Sequence, residues 1–349
     1  MITSRSHLRR LALGVSAILL AGPALAACGG DADAGSTGSL DDELATSVPS
    51  GTVLKIADQG ELAETTLAAS GEQGRLSFET EYANLNGQPQ VLEALRNGSD
   101  LAFASEVGSL YARAQGVDVK VVSVFSQDKN SYKFFTADKD ITSVSQLKGK
   151  KIAYVDGTSY GLYTLRVLEA AGLSLDDVEL VKLDFTTLPD AIRTGEVDAG
   201  ALTQPAATTF PEKYASTGFH QLSEGDDKST GLASTVYATE EALKNPAKAA
   251  AIREYVTAWV RSAQWKNDNP EGWEKAYYVD RLGLDAATAK IVNDTVGTIT
   301  FPKLADLVPV YQGFVDQLVD AGELPEPLDA ADDFDLRFDD VQQAAAKEG

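Results

Sequence analysis

Apolar positions along most of this chain switch between a period near two and a period near 3.6. Residues 53–57 are a short apolar run that predicts a strand, residues 61–70 have helical spacing, and residues 76–80 read as a second strand. Residues 89–97 put Val91, Leu92 and Leu95 on one helical face that Gly98 ends, ahead of a strand at 100–104. A helix at 107–115 is stopped by Gly116, and 119–126 and 132–137 are rich in Val, Phe and Tyr, as strands are. After Asp140 the pattern resumes with strands at 151–155, 178–183 and 197–202. Helices at 160–171, 188–194 and 206–216 lie between and after them, the first two closed by Gly172 and Gly195. From Ala238 the spacing is almost wholly helical, with 249–267 the longest stretch. Strand and helix alternating in this way predict an α/β fold with parallel pairs, built as two units and a helical C-terminal return.

The first fifty residues follow another pattern. Arg5, Arg9 and Arg10 precede the apolar residues 11–20, and Leu25-Ala26-Ala27 lead into Cys28. The apolar run is shorter than the roughly twenty residues that span a bilayer. The pattern predicts a lipoprotein signal peptide at 1–27 and lipidation of Cys28, hence an extracytoplasmic protein anchored to the cell membrane. Residues 28–50 are rich in Gly, Ser, Thr, Ala and Asp without apolar periodicity, and they predict a flexible tether with a reach of roughly 25 Å. Cys28 is the only cysteine, which removes disulfides and thiolate metal sites, and no cofactor or metal is expected. About three hundred remaining residues suffice for two domains resting on hydrophobic cores.

Charge narrows the partners. The chain carries 30 basic and 52 acidic residues, a net charge of −22, and losing the three leader arginines makes it 27 − 52 = −25. Such a surface repels nucleic acid and keeps an exported monomer soluble. Beyond a Debye length of about 8 Å these charges are screened, so the groups lining a pocket decide what binds there.

Candidate chemistry sits at the carboxyl ends of the predicted strands, where open α/β sheets bind ligands. Asp156-Gly157-Thr158-Ser159-Tyr160 joins a strand to a helix, and N–H groups and hydroxyls at such a junction suit an anionic head group. Its competing reading is a helix cap. Asp156 disfavours a simple anion and suits a ligand that also carries an amine or hydroxyl. Gly157 to Gly161 also matches the G-x-S-x-G nucleophile elbow, which makes Ser159 a candidate hydrolase nucleophile. A triad there needs a downstream histidine, and His220 is the only one after the leader. Phe134, Phe135, Trp259, Trp265 and Trp273 are expected to pack in the core, and Lys129 and Lys133 to be surface residues.

Several segments, taken in order, resemble the solute-binding proteins of ABC importers, in the group that binds aliphatic sulfonates, taurine, nitrate and thiamine precursors. They are Leu54-Lys55-Ile56, Leu92-Glu93-Ala94-Leu95, Gly98-Ser99-Asp100-Leu101-Ala102, Gln146 to Tyr154, Leu165 to Leu173, Gly195-Glu196-Val197-Asp198-Ala199, and Asn269-Pro270-Glu271. The likeness runs over roughly 53–318. It implies a two-lobed type II periplasmic-binding-protein fold, with lobe 1 at 51–136 and 235–349, lobe 2 at 137–234, and hinges near 136–140 and 234–238. It also implies a small polar organic ligand, aliphatic sulfonate or a related anion, held in the interlobe cleft and delivered to a membrane permease without chemistry. The expected contacts are Gln59, Asn86, Ser105, Asp128, Tyr132, Thr158, Ser159 and Gln204, through hydrogen bonds and, for Tyr132, stacking. Where the group often has an aromatic, an acid and a proline, this chain has Thr203-Gln204-Pro205, and neutral Gln204 argues against a taurine-like ligand. A lipoprotein reporting to a membrane sensor is an alternative with the same closure. Enzymatic relatives of the fold rely on a cysteine nucleophile or on histidine and lysine chemistry, and after Cys28 this chain has no cysteine and a single histidine, His220.

Overall fold

A computed structural model describes residues 38–129 and 131–348. The predicted leader and Cys28 lie outside the described residues.

The first unit follows the apolar runs closely. Strand β1 (Val53–Gln59) is followed by α1 (Leu62–Ser70), β2 (Glu79–Leu85), α2 (Gln88–Arg96), β3 (Leu101–Ala104), α3 (Gly108–Ala114) and β4 (Val119–Gln127). β1 lies between β2 and β3 and parallel to both, as right-handed strand–helix–strand units require. β2 begins three residues later than the sequence suggests, because its register is set by pairing Val53 with Glu79 along a polar sheet edge.

The second unit contains β5 (Lys133–Thr136), β6 (Lys151–Tyr154), α4 (Ser159–Ala170), β7 (Glu179–Lys182), α5 (Leu188–Thr194), β8 (Ala199–Leu202), α6 (Ala206–Tyr214) and β9 (His220–Leu222). Its sheet has the order β7-β6-β8-β5-β9, with β6 parallel to β7 and β8, and β5 antiparallel to β8 and β9. Strand β10 (Leu232–Thr239) then returns to the first sheet, inserted antiparallel between β3 and β4. With the short β11 (Ile299–Thr300) the first sheet has the order β11-β4-β10-β3-β1-β2.

These pairings move the expected crossings. The expected lobe 1 includes Lys133–Thr136, yet that strand hydrogen-bonds within the second sheet, and β10 belongs to the first sheet from Leu232 onward. The chain therefore changes sheets between Gln127 and Lys133 and again between Leu222 and Leu232, several residues before the predicted hinges on both passes.

The helical return is α7 (Glu240–Lys244), α8 (Pro246–Asp268), α9 (Pro270–Trp273), a π-helical segment at Glu274–Arg281, α10 (Ala286–Val296), α11 (Leu304–Asp320) and α12 (Arg337–Glu348). α8 buries Trp259 completely against Phe103 and Phe125, with ring centroids 4.6 and 5.6 Å away. Buried Gln342 of α12 accepts from Ser123 Oγ at 2.7 Å and Val124 N–H at 3.1 Å and donates to Pro302 O at 2.6 Å, which fixes that helix to β4. The tether expected to continue to Ser50 is already docked at Gly38, whose N–H donates to Lys244 O at 2.7 Å. Leu40, Leu44 and Val48 add apolar contacts to the core. Among the described residues no helix is long and apolar enough to cross a membrane.

Candidate functional site

The carboxyl ends of β1, β3, β6 and β8 converge between the two sheets. Two adjoining cavities lie there, of about 290 and 460 Å³, and Leu62, Tyr132, Thr203, Ala233 and Ser234 line both. The smaller brings together Gln59, Asn86, Ser105, Tyr132, Thr158 and Ser159, with Phe103, Tyr160 and Phe185 as apolar wall. The larger contains Gln204. Asp128 lines neither: its Oδ1 accepts the Thr298 N–H at 2.7 Å, so its carboxylate ties the end of β4 to the segment before β11. The expected ligand contact at Asp128 is thus a structural clasp.

Two polar atoms in these cavities are buried without a hydrogen-bond partner among the described residues: Ser105 Oγ, after β3 of the first sheet, and Gln204 Oε1, after β8 of the second. Leaving such an atom unmatched costs about 1–3 kcal/mol, which an incoming donor or acceptor would recover.

The hydroxyls singled out in the Gly157–Tyr160 turn are already engaged. Thr158 Oγ1 donates to Val155 O at 2.7 Å, and Ser159 Oγ donates to Glu106 Oε2. Thr158 occupies the N-cap position of α4 but makes no side-chain cap bond. Glu106 is buried just after β3 and also accepts from Thr230 Oγ1 at 2.9 Å. Burial raises its pKa, against the lowering effect of the Ser159 hydrogen bond. A carboxyl of the first sheet thus sits beside the first turn of α4, where sequence reasoning expected a ligand anion. Asp156 is likewise paired, with Lys182 Nζ at 2.5 Å.

The same turn is pressed against the first unit. Gly157 has φ +67°, and a Cβ there would meet Gln88 Cγ at 3.1 Å and Tyr111 Cγ at 3.4 Å, so glycine satisfies both the left-handed backbone and the close approach. Arg166 of α4 donates to Gln317 Oε1 of α11 at 2.9 and 3.0 Å, a second tie between the units.

The nucleophile-elbow reading finds no imidazole at Ser159. His220 lies on β9 with Nδ1 2.7 Å from Gly218 O and Nε2 2.9 Å from Ile141 O. Among the described residues no cluster of His, Cys, Asp and Glu could hold a metal ion.

The aromatic residues divide. Phe134 and Phe135 are fully buried core, as expected, and the Tyr132 ring packs on Tyr160 and Tyr163, with centroids 5.2 and 5.3 Å away. Trp265 is half-buried, and Trp273 is both buried and part of the larger cavity's wall. Lys133 pairs with Asp226 at 3.0 Å, and Lys129 Nζ donates to Asp294 O at 2.7 Å. Sequence reasoning missed Glu106, Phe185, Ser234, Lys266 and Tyr277. Glu106 follows a predicted strand end and had that signal, whereas Ser234 lies in β10, which the spacing does not predict, and Lys266 sits inside a long helix.

Two sheets joined by two chain crossings, with a cavity at the strand ends between them, define the periplasmic-binding-protein fold. A binding protein of Brucella abortus (strain 2308), so named provisionally, is 27% identical over 260 residues, covering 71% of this chain and 77% of the relative. The alkanesulfonate-binding protein SsuA from Xanthomonas axonopodis pv. citri, solved with MOPS bound, superposes with a TM-score of 0.72 at 22% identity, covering 82% of this chain and 98% of the other. The periplasmic aliphatic sulphonate-binding protein SsuA from Escherichia coli gives a TM-score of 0.67 at 24% identity, covering 82% and 92%. The NMT1/THI5-like family matches residues 81–272, and the chain belongs to that family.

Proposed function

We propose that the protein is the extracytoplasmic solute-binding component of an ABC importer, tethered by lipid on Cys28, which captures a small organic anion of the aliphatic sulfonate class between its lobes. The lobes hinge at the two sheet crossings, and the shut form is the one presented to the permease. Closure requires a ligand that binds the shut state better than the open one. The observation that carries the reading is the pair of unmatched buried atoms, Ser105 Oγ on one sheet's side and Gln204 Oε1 on the other's. A ligand meeting both gains most when the lobes are together. Gln59, Asn86 and Thr203 supply further polar groups, and Phe103, Tyr160 and Phe185 contact its apolar part. The protein binds without chemistry: Ser159 is hydrogen-bonded to a carboxyl, and His220 is held by backbone carbonyls away from it. The sulfonate class is supported by two binding proteins of the same fold that are named for such ligands, one of them solved with MOPS bound.

The test is calorimetry and thermal shift over hexanesulfonate, MOPS and taurine, with the Ser105→Ala/Gln204→Leu double variant beside the wild type. The variant is expected to bind the preferred compound at least tenfold more weakly, a loss of about 1.4 kcal/mol. Its ligand-free melting temperature is expected to hold or rise, because two unmatched polar atoms are removed. Equal affinity in variant and wild type removes both residues from the site.

A further inference from the structure

The larger cavity contains a cation that nothing in the fold explains. Lys266, in the last turn of α8, is only 8% exposed and lines the cavity. No ion pair or hydrogen bond holds its ammonium among the described residues, and it lies over three aromatic rings, with centroids at 4.4 Å for Trp273 and 5.8 Å for Phe125 and Trp259. A lysine this buried normally has a carboxylate or carbonyl partner, since cation–π contacts contribute only about 0.5–2 kcal/mol. A second feature of the wall points the same way. The π-helical segment Glu274–Arg281 aims Tyr277 and Tyr278 at the cavity, Trp273 stacks on Tyr277 at 4.8 Å and 8°, and Tyr277 OH donates to Gly60 O at 3.3 Å, beside β1. π-helical turns are rare overall and are frequent at functional sites.

We infer that Lys266 is the anion receptor of this chain, and that the acidic head group of the cleft ligand, a sulfonate or carboxylate, enters the larger cavity and pairs with its ammonium over the Trp273 ring. The inference rests on the cleft reading proposed above and locates the charged end of the ligand. It also accounts for Glu106: with that carboxyl beside the first turn of α4, a ligand anion is better placed across the cleft than at the helix start.

A pH signature follows. The other titratable groups facing the cavity are Lys129, whose ammonium is on the Asp294 carbonyl, Asp294, whose carboxylate is paired with Lys290, and Tyr132, Tyr277 and Tyr278. Burial alone lowers Lys266 to about 7, and burial raises the three tyrosines. An anion binds the protonated amine, so binding takes up a proton above that pH and weakens about tenfold from pH 6 to pH 8.

The test is calorimetry of hexanesulfonate and hexanoate at pH 6 and pH 8, in buffers of differing ionisation heat, on the wild type, Lys266→Met and Lys266→Arg. Lys266→Met is expected to lose at least tenfold in affinity at pH 6 and to take up no proton at pH 8. Lys266→Arg is expected to retain affinity while losing the pH dependence, because guanidinium stays charged. The inference is overturned if Lys266→Met matches the wild type in both affinity and proton uptake, or if the wild type binds neither compound. If Lys266→Met matches the wild type but the Ser105/Gln204 variant does not, the receptor assignment alone fails. Loss in Lys266→Met with no change in the Ser105/Gln204 variant instead removes Ser105 and Gln204 from the site and leaves the receptor assignment standing.

Discussion

Trp259→Ala is expected to destabilise the protein by about 3–5 kcal/mol, the range for truncating a fully buried large aromatic. The indole has no exposure, and its ring lies edge-on to Phe103 at 4.6 Å and tilted on Phe125 at 5.6 Å. Those phenylalanines belong to β3 and β4, which flank β10, so the side chain fastens α8 across three strands of the first sheet. Phe125 also meets Phe301, which continues the cluster toward β11. Urea unfolding followed by far-UV circular dichroism measures the effect as a lower midpoint at an unchanged slope. A change under 1 kcal/mol would mean that the helical return is not anchored at this point. Trp259→Phe is expected to cost much less, since it keeps most of the apolar contact.

The same cluster shows why much of the fold is legible in the sequence. Val91, Leu92 and Leu95 on one face of α2, and Gly98, Gly172 and Gly195 after helices, are local signals, and the corresponding elements lie within a residue or two of their expected places. β10 is the instructive failure. Its first half reads Leu232-Ala233-Ser234-Thr235, mostly small and polar, so only Val236 and Tyr237 carry an apolar strand signal. Thr235 is nevertheless fully buried, and its hydroxyl is matched by Tyr311 OH at 2.9 Å, a partner 76 residues away. No window of sequence contains that information. β5 was placed correctly along the chain but in the wrong unit for a similar reason, since sheet membership is decided by pairing with β8 and β9.

The candidate site divides along the same line. Gln59, Ser105 and Thr158–Tyr160 are legible as strand-end residues because strand ends can be located from local pattern, and the fold brings them around one cavity. What each polar group does there depends on partners across the molecule. Ser159 meets Glu106 from the other unit, and Asp128 turns away toward Thr298. Lys266 looks like the solvent side of a helix until α9 and the π-helical segment fold over it.

Stability is expected to fall as pH rises from about 4 to 6 and to recover above about 7, which makes neutral pH a minimum. Asp58 and Asp333 have no exposure, and burial raises each from 3.8 to about 6. Asp58 stays partly ionisable because it accepts the N–H groups of Ala63 and Glu64 at the start of α1, and Asp333 because it accepts from Ser109 and faces Arg113. A carboxyl raised in the folded state binds more protons folded than unfolded. Its favourable contribution is therefore whole below 3.8 and is lost as pH climbs through about 6, on the order of 3 kcal/mol per group. Glu106 shifts in the same direction. Lys266 has the opposite consequence on the alkaline side: lowered from 10.5 to about 7, it binds fewer protons folded than unfolded between those values, so stability rises with pH there. Asp177, lowered to about 2 by Lys148 and Ser174, acts only below 3.8 and leaves the neutral window alone. Urea midpoints from pH 4 to pH 9 measure the curve. Asp58→Asn with Asp333→Asn is expected to flatten the acid limb, and Lys266→Met the alkaline limb. A maximum near pH 7, or limbs unmoved by these substitutions, would show that the three groups are not charged against their burial.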